Sequence, residues 1–283
     1  MASNRNYEYI NQYSFHHSYH DKQKLKSIEN FIDDILLIED VLGFQKWLDD
    51  YVAKILNSED QKIQNLIRSD EDFMNQIAIN HSLFRKNWIS FCSAYEMGLS
   101  DEYNVHHSIM RTVHESILLL AYLATHEHEA KDIKLFMEKK YNQAFGKFDE
   151  KHRKIKNFEP SHIRNSIFTD EMKESMNKIY GGLSIVAHPN IYQNAAKLEK
   201  YDPRRVNDSL WFLLHESFYN IIYFIENFRK NKELIKMILN EKIFLYIEDL
   251  KKKISKDGKI PDFFPNKNNL GNDFVLYKPR DSN

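Results

Sequence analysis

Residues 101–125 read DEYNVHHSIMRTVHESILLLAYLAT, and this stretch decides the fold class. Val105, Ile109, Val113, Ile117, Leu120 and Leu123 recur at spacings of three and four, the period of a helix rather than of a strand. Met110, Leu118, Leu119 and Ala121 fill much of the remaining circumference. A helix that is apolar on nearly every side must be covered by other helices. Ser100-Asp101-Glu102 precedes it, a polar start followed by the most apolar helix in the sequence.

The flanking sequence repeats the theme. Glycine (7) and proline (6) together make up under 5% of the 283 residues, against roughly 12% in an average chain. Sandwiches, barrels and doubly wound sheets need many turns built from these residues, so the deficit points to helices. The spacing predicts a helix over 23–57, with Gly43 as an interruption, and another over 70–98, ended by Gly98. Ser58 and Ser69, each followed by acidic residues, read as helix starts. A more polar helix is expected over 127–145 and a basic connector over 146–163. Thr169-Asp170-Glu171 opens a helix ending near His188-Pro189. Asp202-Pro203 caps one that runs to about Phe228. A single helix is expected over 231–253. The expected architecture is an all-α antiparallel bundle: an N-terminal helical segment 1–69, a bundle core 70–253 and an irregular C-terminal tail 254–283.

Several function classes are excluded by composition. The net charge of −1 is not that of a strongly basic nucleic-acid coat protein. The single cysteine, Cys92, permits no intrachain disulfide and no thiolate zinc cage, and its apolar neighbours predict a core thiol. The N-terminal residues lead into no apolar stretch of the signal-peptide type. The longest apolar run, Ile117 to Ala124, falls far short of the roughly 20 residues of a membrane span. A cytoplasmic protein is expected, with no membrane association. Phosphate-binding loops, dinucleotide turns, zinc-protease helices and paired di-iron ligands are all missing, so neither a metal nor a cofactor is expected.

Two stretches carry chemistry. In the 101–125 helix, His107 and Arg111 share a stripe with His114 or Glu115, and Arg111 can pair with Glu115 one turn away. Either the pair is buried and fixes helix register, or it faces a cleft. The second stretch is Tyr180-Gly181-Gly182-Leu183-Ser184-Ile185-Val186-Ala187-His188-Pro189. Pro189 ends the helix at His188, leaving an imidazole that either caps the helix or enters a cleft with Arg111. Ser184 lies one turn before it. A basic run overlaps the end of the 127–145 helix and continues past it: Glu138 to Asn157 holds seven Lys or Arg against three acids, interleaved with Tyr141, Phe145 and Phe148. Lys151, Arg153 and Lys154 stand at its centre. The run is either a solvated face or a surface for single-stranded RNA. One short echo, His114-Glu115-Ser116 and His215-Glu216-Ser217, is too brief to define a repeat.

Arg111-x-x-x-Glu115, followed by Tyr180-x-x-Leu183-Ser184-x-x-x-His188-Pro189, resembles a group of bacterial helical proteins associated with the HEPN-like superfamily. The resemblance covers about residues 80–230. It implies a HEPN-like bundle core with extra N- and C-terminal segments, in a protein that binds or cleaves RNA or a nucleotide in bacterial defence, as a homo-oligomer. HEPN-like ribonucleases carry Arg-x(4–6)-His, and none of the ten arginines here has a histidine at that spacing. A ribonuclease-like site would therefore be assembled from Arg111, His114, Glu115 and His188, with His107, Ser184, Lys151, Arg153 and Lys154 as binding residues. In such a site His is the acid–base group and Arg stabilises the anionic intermediate. The competing expectation is a helical interaction module without catalysis, such as a defence-system subunit, antitoxin or immunity protein with a protein partner.

Overall fold

The structure, a computed structural model, describes residues 31–144 apart from 69 and 101, then 158–167, 177, 180, 181, 183 and 203–256. Within these residues there is no strand, and nine α-helices pack together. They are α1 (Ile32–Leu56), α2 (Gln61–Arg68), α3 (Glu71–Leu99), α4 (Tyr103–Thr125), α5 (Ala130–Ala144), α6 (Pro160–Ile167), α7 (Pro203–Glu226), α8 (Lys232–Ile238) and α9 (Glu241–Lys256), with a single 3-10 turn at Glu127–Glu129 between α4 and α5.

Helix α3 is the axis of the bundle. Asp70 begins it, its carboxylate accepting from the Asp72 and Phe73 amides. The partners of α3 fix the directions of α1, α4 and α7 around it. Gln76 Nε2 donates to the Leu123 carbonyl at one end of α4, and His106 Nδ1 donates to the Ala94 carbonyl at the other. Helices α3 and α4 are therefore antiparallel. Tyr95 donates to Glu39, Trp88 to the Leu42 carbonyl and Arg85 to Asp49, which makes α1 antiparallel to α3 as well. Gln76 with Asn227, Asn80 with the Phe224 carbonyl and Asn87 with Asn220 do the same for α7. Three helices of one direction thus surround a fourth of the opposite direction, an antiparallel all-α bundle.

The apolar interior is continuous across these elements. Phe84 and Phe224 stack with ring centres 3.9 Å apart, and Phe44 stacks on Tyr246 at 4.0 Å. The α1 residues Ile38, Val41, Leu42, Phe44, Leu48 and Val52 are fully buried in the same core as α3, α4 and α7. A seam of buried amides runs through this interior. Asn87 Nδ2 donates to Asn220, and Asn220 Nδ2 donates to Gln45 at 2.8 Å. Asn227 reaches the Leu120 and Tyr223 carbonyls. These hydrogen bonds form in one helix register only, so they trade some apolar burial for a specified alignment, and Gln45 Nε2 and Asn87 Oδ1 have no partner among the described residues.

Several boundaries differ from the sequence reading. Helix α1 passes through Gly43 without a break, and α3 includes Gly98. The 231–253 helix divides at Leu239-Asn240, because the Asn240 side chain accepts from the Ile243 amide and starts α9. The expected connector turns helical at Pro160, the first residue of α6. Val105, assigned to the apolar face, is 45% exposed, and Cys92 is half-buried. The segments 1–22 and 257–283 and most of the expected 169–189 helix lie outside the described residues. Asn177, Tyr180, Gly181 and Leu183 are helical.

Candidate functional site

The site is built on α4 where its apolar half gives way to a polar one. Residues Val113 to Leu123 are buried, apart from Glu115, whereas Asn104, Ser108 and Thr112 are exposed. Arg111 and Glu115 sit at this transition, one turn apart and half-buried. Arg111 Nε lies 3.3 Å from Glu115 Oε1. Arg111 Nη2 donates to the Tyr180 hydroxyl at 2.9 Å, and that hydroxyl donates to Glu115 Oε1 at 2.9 Å. Three side chains thus close a ring of hydrogen bonds. Burial alone would lower the Arg111 pKa, but the Tyr180 and Glu115 contacts outweigh it and raise it.

A second guanidinium lies against the same tyrosine. Arg164 is presented by α6, which Ile163 and Phe158 anchor in the core, the latter edge-on to Tyr122 and Phe136. The Arg164 guanidinium carbon sits 4.3 Å from the Tyr180 ring centre, and that of Arg111 sits 5.1 Å from it. Arg164 is only 7% exposed, yet its Nε and Nη1 have no hydrogen-bond partner among the described residues. Burial lowers its pKa, and the nearby Tyr180 and Glu115 offset this in part.

The histidines expected here are placed elsewhere. His114 is 3% exposed and turns toward α7, with Nδ1 3.0 Å from Glu216 Oε1. The two copies of the short His-Glu-Ser echo therefore meet, the first histidine against the second glutamate. His107 packs on Tyr103 with ring centres 3.8 Å apart, and its Nδ1 donates to the Tyr103 carbonyl at 2.9 Å. Burial lowers its pKa, the hydrogen bond to the Tyr103 carbonyl opposing the shift. The structure brings Arg111 and Glu115 together and separates them from His114. His188, Ser184, Lys151, Arg153 and Lys154 lie outside the described residues. No described group of three or more His, Cys, Asp or Glu is arranged to hold a metal ion, and no described helix is long and apolar enough to cross a membrane.

Sequence reasoning missed Arg164 entirely and saw Tyr180 only as part of a motif. The available signal was Pro160, a helix-opening residue with Ile163 and Ile167 spaced one turn apart behind it. It also missed a tie between α1 and α3. Asp49, 2% exposed, takes Arg85 through Nε at 3.0 Å and Nη2 at 2.9 Å, and His81 Nδ1 lies 3.3 Å away. Burial lowers the His81 pKa, Asp49 opposing the shift and Arg85 adding to it. A shallow groove lined by Ala78, Ser82, Lys86, Ile89 and Ser90 opens beside this tie.

Comparison of the chain with protein-family models, with curated proteins and with solved structures found no significant match.

Proposed function

We propose that this protein binds RNA or a nucleotide through the cluster of Arg111, Glu115, Tyr180 and Arg164, as a cytoplasmic HEPN-like protein acting in bacterial defence. The observation that supports this reading is the convergence of two guanidinium groups on one tyrosine at a half-open place on the bundle. Arginine is the side chain best matched to phosphate, being planar, always charged and able to donate two parallel hydrogen bonds. The reading covers binding and cleavage alike, since Glu115 and Tyr180 in the cluster are groups that general acid–base catalysis can use.

A second reading, a non-catalytic interaction module such as an antitoxin, immunity protein or defence-system subunit, is supported by one observation. Arg111 already has its charge met by Glu115 and its donors partly used by Tyr180. Fluorescence anisotropy with a labelled single-stranded RNA, competed by nucleotides, separates the two. Binding that weakens at least tenfold in Arg111→Ala, at unchanged helicity, supports the first reading. Absence of binding to either ligand, with a stable complex to a co-encoded protein, supports the second.

A further inference from the structure

We infer that Arg164 and Arg111 form a receptor for one phosphate group, with Arg164 as its anchor; this rests on the nucleotide-binding reading and names the part of the ligand that the site takes. Arg164 carries a permanent charge and five N–H donors. Taking such a group out of water without acceptors is costly, and proteins keep buried charges that are paired. Arg164 is more than nine-tenths buried, and among the described residues no acceptor meets its Nε or Nη1. The face of the Tyr180 ring is its contact, and Glu115 acts on it as a nearby charge without a hydrogen bond.

The charge balance points the same way. Among the described residues two guanidiniums face one carboxylate, and that carboxylate accepts from both Arg111 and Tyr180. Among these residues Arg164, the less exposed of the two arginines, has no carboxylate hydrogen-bonded to it. Tyr180 holds both guanidiniums against a single ring, which fixes their relative placement before a ligand arrives. An anion with several oxygens satisfies donors arriving from α4 and from α6 together, and phosphate has that geometry, whereas a carboxylate offers two oxygens in one plane. The same phosphate chemistry belongs to free phosphate, to a nucleotide and to an RNA strand.

Thermal melting of the full chain at matched ionic strength tests this, with inorganic phosphate, AMP, a 5′-hydroxyl RNA oligonucleotide and acetate as probes. Phosphate-bearing probes are expected to raise the melting temperature of the wild type, and acetate is not. Without a probe, Arg164→Met is expected to melt at or above the wild type, because it removes a buried cation that no described acceptor meets at Nε or Nη1. Its half-saturating phosphate concentration should rise at least tenfold. Arg164→Lys keeps the charge and loses the planar fork; it should fold normally and weaken phosphate binding roughly tenfold. Its result decides the matter where Arg164→Met folds poorly. Wild-type phosphate response in the variants, or an equal response to acetate, overturns the receptor. If phosphate acts through Arg164 while AMP and RNA are silent, the receptor stands and the nucleotide reading falls. If RNA binds the wild type and Arg164→Met equally, the reading stands and the receptor falls. Silence of all probes on the wild type overturns both.

Discussion

His114 Nδ1 lies 3.0 Å from Glu216 Oε1 across the α4–α7 interface, and both residues are more than nine-tenths buried. The remaining atoms of the pair, His114 Nε2 and Glu216 Oε2, have no hydrogen-bond partner among the described residues. Removing one member of such a pair strands the other in the core. His114→Ala should therefore cost about 3 kcal/mol in urea unfolding. The double substitution His114→Leu with Glu216→Leu should recover most of that loss, since an apolar replacement of both members is often neutral. A double variant as unstable as the sum of the single ones would show that the pair is not a coupled unit.

Arg111→Ala should behave differently, because Arg111 and Glu115 are half-buried rather than enclosed. Exposed and partly exposed pairs contribute about 1 kcal/mol or less. The variant should fold with unchanged helicity and lose no more than that in denaturant unfolding. A loss of about 3 kcal/mol or more would mean that the pair fixes helix register.

The contrast between these neighbouring residues explains how far the sequence could be read. Glu115 returns to the Arg111 face after four residues, while His114, at three, falls about 60° to the other side, where α7 packs. Periodicity left both options open, and only the position of α7 chooses between them. The all-α class and most helix positions were legible, because apolar spacing and proline placement act locally. Gly43 and Gly98 did not break their helices, because tertiary burial outweighs a cost of about 1 kcal/mol per glycine. The break at Asn240 was not legible, since a capping asparagine leaves no gap in the apolar pattern. Arg164 escaped notice because a short helix gives too few turns to display a period. Its meaning also depends on Tyr180, sixteen residues further along the chain.

Acid should destabilise the fold through His106. This residue is wholly buried, donates to the Ala94 carbonyl and has its pKa pushed down by burial to about 4; the Ala94 contact opposes that shift and neighbouring His107 adds to it. In the unfolded chain the same ring titrates near its ordinary value of about 6.5. Between these values the unfolded state holds a proton that the native state does not, so stability rises with pH across that window. The contribution is present in full above about pH 6.5 and is lost progressively as the pH falls toward 4. It amounts to roughly 3 kcal/mol at most. Urea midpoints measured from pH 4 to pH 7.5 should show this slope. His106→Asn, which retains a donor for Ala94, should flatten it. A slope unchanged in that variant would assign the effect to other groups.

Gly98→Ala provides a test of packing around the same histidine. In an ordinary helix interior the change stabilises by about 1 kcal/mol, because alanine has less backbone freedom to lose. Gly98 lies in the last turn of α3, where that turn crosses the start of α4. A Cβ added there would stand 3.1 Å from His106 Nδ1, closer than normal contact, and at an ordinary 3.6 Å from Ser209 Cβ. The sign depends on whether the imidazole can give way. His106 is fully buried, and its Nδ1 is held 2.8 Å from the Ala94 carbonyl, so moving the ring lengthens that bond or presses on the core. Overpacking of this kind costs about 1–3 kcal/mol, which exceeds the helix-propensity gain. Gly98→Ala is therefore expected to destabilise by about 1 kcal/mol net in denaturant unfolding. Combined with His106→Ala, which opens space beside it, the same substitution should become stabilising relative to His106→Ala alone. A stabilising effect in the otherwise wild-type chain would mean that α3 and α4 are not held in close contact at Gly98.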